Sequence, residues 1–256
     1  TGTIRQTGGT LHLNGNGTDS NPNEDIEFKS SEARINQTGG TIYVKGVDSS
    51  RGLIEQNGTD AKFMIRIDFS PSSTSSNPLT FTSTRGTIEF MSASSSIINI
   101  FTERHQFNNV VVRNGANANV FPSGSVIRIS GDFTNESATL NAAGATFTFN
   151  GIGNQNISSP SDNASLGSLT INKANGRAIL TSNVRLAGNF NMMGSTFEPG
   201  TNRLTINGDL FNFSGGTINV GAGTFTENYS KTPSPASGTT VNYNAQGAQT
   251  ISNDFI

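Results

Sequence analysis

The chain has 256 residues, which suits one or two ordinary domains or a single elongated one, and a formal net charge of -2. Only 13% of its residues are charged, against a usual quarter, so it carries no basic footprint for nucleic acid or for an anionic membrane surface. It has no Cys, which removes disulfides, thiolate metal sites and Cys nucleophiles, and apolar clusters such as Ile97-Ile98-Asn99-Ile100-Phe101 fall far short of the roughly 20 residues that span a bilayer.

Asn, Ser and Thr each outnumber even the 29 Gly, a composition that borders on disorder. The apolar residues decide against it. Ile outnumbers Leu, there are 17 Phe, and with so little net charge the chain has enough apolar surface to collapse. β-Branched and aromatic residues fit pleated surfaces better than helices, so the composition predicts strands and almost no helix.

In chain order, the first elements form a repeated pair. Ile4-Arg5-Gln6-Thr7-Gly8-Gly9-Thr10-Leu11-His12-Leu13-Asn14-Gly15 matches Ile35-Asn36-Gln37-Thr38-Gly39-Gly40-Thr41-Ile42-Tyr43-Val44-Lys45-Gly46. The Ser/Pro stretch from Ser70 to Pro78 reads as a loop. A second family of strands then opens with Thr87-Ile88-Glu89-Phe90, returns at Thr146-Phe147-Thr148-Phe149, and returns again at Thr240-Val241-Asn242-Tyr243. Each has an Ile in the same place past its aromatic, at Ile98, Ile157 and Ile251; the last two share Gly-x-Gln-x-Ile, from Gly153 and Gly247. Between these lie Phe107-Asn108-Asn109-Val110-Val111-Val112 and Leu166-Gly167-Ser168-Leu169-Thr170-Ile171. Corner-like segments follow: Arg128-Ile129-Ser130-Gly131-Asp132-Phe133, Arg185-Leu186-Ala187-Gly188-Asn189-Phe190 and Thr205-Ile206-Asn207-Gly208-Asp209-Leu210. Ser230 to Gly238 reads as a second loop.

The strands alternate. Ile88 and Phe90, Val110 and Val112, Ile127 and Ile129, Leu169 and Ile171, Leu204 and Ile206, and Ile218 and Val220 fall on one face at period two. Glu89, Val111, Arg128, Thr170, Thr205 and Asn219 fall on the other. Short strands recurring about every 16 to 22 residues cannot bury one face alone, but stacked coils close a continuous core. The hairpins of an antiparallel sandwich would recur at a shorter interval, roughly every 8 to 12 residues. The expected fold is therefore all-β, a parallel β-helix or β-solenoid with short strands and Gly/Asn-rich turns, of a dozen coils and roughly 60 Å. The copies at Thr87, Thr146 and Thr240 are unevenly spaced, and the second interval exceeds the first by what two coils of roughly 17 or 18 residues would add. Gly131, Gly188 and Gly208 are expected to supply positive φ at corners, and corner Asn side chains to hydrogen-bond along the axis. Residues 86–256 carry the clear repeats; residues 1–85 read as N-terminal coils with loop insertions, continuous with the rest. The chain reads as a piece of a longer one.

Chemistry is sparse. Only His12 and His105 exist, so a nucleophile with a His base needs unusual stacking, and Glu103-Arg104-His105 is more simply a solvated loop. Asp19-Ser20-Asn21-Pro22-Asn23-Glu24-Asp25 spaces oxygen ligands as a calcium loop does, but Glu24 replaces the sharp-turn Gly and Ser30 stands where the bidentate acid belongs. No phosphate loop, zinc-protease or nucleophile-elbow motif occurs. The eight Asn-x-Ser/Thr sequons, such as those at Asn16 and Asn163, are what this composition gives by chance. Thr80/Thr82, Thr146/Thr148 and Thr224/Thr226 suggest an ice-binding ladder, which Thr87/Glu89 and Thr240/Asn242 break. No catalytic, cofactor or metal residue is assigned.

The succession Phe-x-Asn-Val-x-Val, Val-x-Ile-x-Gly-Asp-Phe, Gly-Thr-Phe and Phe-x-Gly-x-Gly-x-Gln-x-Ile resembles the repeat regions of very large secreted Bacteroidetes surface proteins, adhesin-like and gliding-associated ones among them. The resemblance covers 86 to 256. It implies export, anchoring through other parts of a long chain, and a non-enzymatic role as stalk or adhesive filament at the cell surface. Its implied partners are surface glycans or other cell-surface proteins. The alternatives are a β-helix protein that binds or degrades polysaccharide, though 18 dispersed acids and no Trp serve such a groove poorly, and an ice-binding protein.

Overall fold

The computed structural model of the chain describes residues 2–13, 32–49, 53–71, 80–91, 105–115, 121, 123–159 and 164–251. They form a β-solenoid in which each coil gives one strand to each of two sheets, and each sheet holds eleven strands. The first sheet runs from Thr3–Gln6 and Arg34–Gln37 through Thr146–Phe149 to Ser234–Pro235; the second runs from Thr10–Leu13 through Asn109–Val112 to Thr240–Tyr243. Strand pairing is parallel throughout both sheets, as winding in one direction requires. In the C-terminal half a third wall appears, where Val184–Leu186 pairs with Leu204–Ile206 and single bridges join Leu166 to Leu186 and Leu204 to Tyr229. The one α-helical segment among the described residues is the single turn Phe225–Asn228.

The core follows from the alternation. Stacked in register, Ile35, Ile54 and Phe81 lead to Ile127, Phe147, Leu169, Phe190 and Phe211 on the inner face of the first sheet. Ile42, Phe63, Ile88, Val110, Phe133, Ile157 and Leu180 do the same in the second. All are buried. Parallel pairing sets Phe190 on Phe211 in register, with centroids 4.9 Å apart, while other rings meet on the diagonal or across the core between the two sheets. Phe81 lies 5.6 Å from Phe63 and 5.3 Å from Phe107, and Phe147 packs edge-on against Phe121 and Phe133 at 5.2 and 5.3 Å.

Several expectations change in detail. Val126 pairs with Thr146, Thr146 with Ser168 and Phe190 with Phe211, so a coil in this part of the stack takes about 20 to 22 residues, longer than the sequence intervals suggest. The N-terminal pair is in true register, with Thr3 beside Arg34 and Thr10 beside Thr41. The longer repeat is not: Thr87–Phe90 and Thr240–Tyr243 lie in the second sheet but Thr146–Phe149 lies in the first. Both sheets demand an outer polar and an inner apolar residue in turn, so one sequence pattern satisfies either. Ile157 is accordingly buried while Ile251 is 66% exposed, and Ile98 lies outside the described residues. The stretch Ser230 to Gly238 is not a loop, because Ser234–Pro235 pairs with Asn212 and Phe213. Ser70 and Pro71 likewise end a strand, beside Asp48 and Ser49, and 72–78 lie outside the described residues.

The corner glycines serve a different need from the expected one. Gly131, Gly188 and Gly208 do not adopt positive φ. They are required by close stacking: a Cβ on Gly208 would come within 2.3 Å of the Gly188 carbonyl carbon, and one on Gly188 within 2.4 Å of Ser168 Oγ. Gly208 N–H donates to Gly188 O at 3.0 Å and Gly188 N–H to Gly167 O at 3.1 Å, a backbone column no side chain could enter.

Candidate functional site

Outward residues of the first sheet align in a row: Arg128, Thr148, Thr170, Asn191, Asn212 and Ser234 stand side by side in successive coils. All but Ser234 lie in short strands whose apolar neighbours point inward, which leaves them on the outer face, and Ser234 is exposed beside an exposed Pro235. Asn212 Nδ2 donates to Asn191 Oδ1 at 2.7 Å, and Asn191 Nδ2 donates to Thr170 Oγ1 at 3.4 Å. The row borders a depression of about 400 Å³, lined also by Met193, Ser214 and Ala236. Met193 is 52% exposed, and no lining side chain is ionisable.

The second sheet carries its own outward features. Asn219 Nδ2 donates to Glu198 Oε2, and Asn242 Nδ2 donates to Asn219 Oδ1 at 3.0 Å. Nearer the N-terminus a relay of charges crosses successive coils. Glu89, 1% exposed, is held by Arg113 Nε at 2.8 Å and faces Lys62 Nζ at 3.7 Å, while Arg113 Nη1 reaches Glu136 at 2.7 Å. The hydrogen bond that Arg113 donates to Glu89 raises the pKa of Arg113 above its ordinary value. At the N-terminal end His12 stacks on Tyr43 with centroids 4.7 Å apart.

Corners are fastened by amide side chains. Gln155 Nε2 donates to Ile129 O at 3.0 Å and to Gly131 O at 2.5 Å, while its Oε1 accepts Gly151 N–H at 2.9 Å. Gln249 repeats the arrangement on Val220 O, Ala222 O and Ala245 N–H, which explains the shared Gln. Asn228 does likewise, donating to Gly200 O and Asn202 O and accepting from Gly221 and Ala222. Lys173 extends the set by one coil, its Nζ donating to Gly151 O, Gly153 O and Gln155 Oε1. It is 4% exposed, and desolvation lowers its pKa to about 8. The expected corner Asn bonds exist, but their donors are backbone groups of the next coil: Asn109 Oδ1 accepts from Asp132 N–H at 2.9 Å and Asn189 Oδ1 from Leu210 N–H at 3.0 Å.

The residues weighed for chemistry from the sequence are not brought together. His12 sits on the outer face of the second sheet, whereas His105 is buried, its Nδ1 accepting Phe81 N–H at 3.2 Å. The solvated-loop reading of His105 is thus corrected: its ring takes a place inside, stacked near Phe107. Glu103, Arg104, Asp19 to Asp25, Ser30, Asn16 and Asn163 lie outside the described residues. Among the described residues no three His, Asp or Glu side chains are grouped so as to hold a metal. Thr146 and Thr148 have Val126 and Arg128 on one side and Ser168 and Thr170 on the other, so their neighbours do not continue a threonine ladder. Thr224 instead caps the helical turn, accepting from Glu227 N–H. The row at Thr170, Asn191, Asn212 and Ser234 was not singled out by sequence; for the first three the signal was a polar centre flanked by Phe, Met, Leu or Ile that returns every 21 residues, and Ser234, between Pro233 and Pro235, carries none. Compared with protein-family models, with curated proteins and with solved structures, the chain has no match.

Proposed function

We propose that this chain is a non-enzymatic, extracellular structural or adhesive segment of a large bacterial surface protein, a rigid spacer that holds a patterned polar face away from its anchor. The observation that carries the reading is the fastening of coil to coil among the described residues. Sheet hydrogen bonds, a single apolar core and amide staples at the corners run along the axis, and the outer rows present side-chain amides and hydroxyls at each step. Such a body transmits position and offers many weak contacts instead of one reactive centre. Its resemblance to Bacteroidetes adhesin-like repeats supports the same reading.

The test has two arms. Beads coated with the chain should adhere to bacterial or host surfaces more than beads coated with an unrelated β-protein. Incubation with a panel of polysaccharides should release no new reducing ends and no unsaturated products; turnover there would replace the adhesive reading with an enzymatic one.

A further inference from the structure

We infer that the depression on the outer face of the first sheet is a cleft for an uncharged, linear polysaccharide lying along the solenoid axis. The inference rests on the adhesive reading and names the partner of one surface. Its first support is charge. The lining comprises Thr170, Asn191, Asn212, Ser234 and their apolar neighbours, with no ionisable group to compensate the desolvation of an ionic ligand. A neutral partner suits it.

The second support is hydrogen-bonding stoichiometry. An Asn amide has two N–H donors and an oxygen with two lone pairs. The ladder uses one N–H and one lone pair of Asn191, which fixes which end of the amide is which and leaves one of each for a ligand. A sugar hydroxyl both donates and accepts, so neighbouring ring hydroxyls match an amide offered in that way. The third support is repetition. Asn191 and Asn212 occupy the same place in adjacent coils, one strand spacing or about 4.8 Å apart. A polymer with a short repeat along its own length meets equivalent groups at each coil, which a folded protein partner does not. Met193 and Ala236 add the apolar surface that the C–H face of a sugar ring requires, and the volume of about 400 Å³ lies within the range of ligand clefts.

The experiment is a calorimetric titration of the purified chain with neutral hexasaccharides, namely cello-, xylo-, manno- and laminari-oligomers, beside an acidic oligogalacturonate. At least one neutral oligomer should bind saturably, and the acidic one should not. Met193→Glu puts a charge at an exposed position of the lining and should weaken binding by about tenfold or more without lowering the unfolding temperature. Asn212→Ala, also exposed, should weaken it too, and Ile152→Glu at an 81% exposed position outside the lining should leave it unchanged. No binding by any neutral oligomer, preference for the acidic one, or equal affinity in Met193→Glu overturns the cleft. Coated beads separate this from the broader reading: adhesion equally strong for wild type and Met193→Glu removes the cleft and keeps the adhesive role, whereas beads that adhere nowhere remove the role itself.

Discussion

Lys173 shows how one side chain is conscripted by its position. Its ammonium sits over three oxygens from the preceding coil, and burial pulls its pKa down to about 8. In the unfolded chain the same group titrates at about 10.4, so between those values the unfolded state holds the proton and the native state does not. Stability should therefore rise as pH climbs from about 8 toward about 10.4, and that rise should vanish in Lys173→Met when urea unfolding is followed across the range. At neutral pH the same variant leaves the buried Gly151 carbonyl without this donor, whereas the exposed Gly153 carbonyl can turn to water, and should lose about 1–3 kcal/mol. Glycine gives a sharper contrast. Gly208→Ala drives a methyl into the Gly188 backbone and should cost about 1–3 kcal/mol, whereas Gly153, with open space around its missing Cβ, should accept Ala with little change in urea midpoint.

At the scale of the element, strand and corner are interchangeable parts. Arg128 to Phe133 turns the chain from the first sheet into the second, but Arg185 to Phe190 turns it from the third wall into the first. The two segments look alike because each ends an alternating strand, needs Gly for close approach, and places Asp or Asn where backbone N–H groups of the next coil seek an acceptor. That is why the alternation of Ile88 and Phe90 or of Leu169 and Ile171 was legible from sequence while the identity of the sheet was not. The third wall was invisible for a related reason: Val184–Leu186 and Leu204–Ile206 are three-residue strands whose partners are fixed by coil length, not by their own pattern. The charge relay tests how elements are tied together. Arg113→Met strips the buried Glu89 of its 2.8 Å partner and should cost about 3 kcal/mol, measured by denaturant unfolding. Glu136→Gln, at a half-exposed end of the same relay, should shift stability by well under about 1 kcal/mol.

For the molecule as a whole, each coil is stabilised by its neighbours, so depth within the stack decides what a substitution costs. Phe147→Ala empties a fully buried position between Phe121 and Phe133 and should cost about 3–5 kcal/mol, whereas Ile4→Ala in the outermost strand should cost less than about 1 kcal/mol; matched thermal and urea melts would read both. The polar row at Thr170, Asn191, Asn212 and Ser234 emerges only at this scale, since residues far apart in sequence become neighbours once the coil length is known. The shorter period that the sequence intervals suggest would have paired the wrong residues. The direction of the ladder bonds has one more consequence. They lie parallel to the long axis, so tension applied between the ends does not slide strands past one another but opens one ladder at a time. Each detached coil of the C-terminal part, 20 to 22 residues long, frees about 70 Å of extended chain, and the N-terminal coils, whose lengths differ, free other amounts, so a rod of this kind would lengthen in steps under load and shield whatever it tethers from a sudden pull.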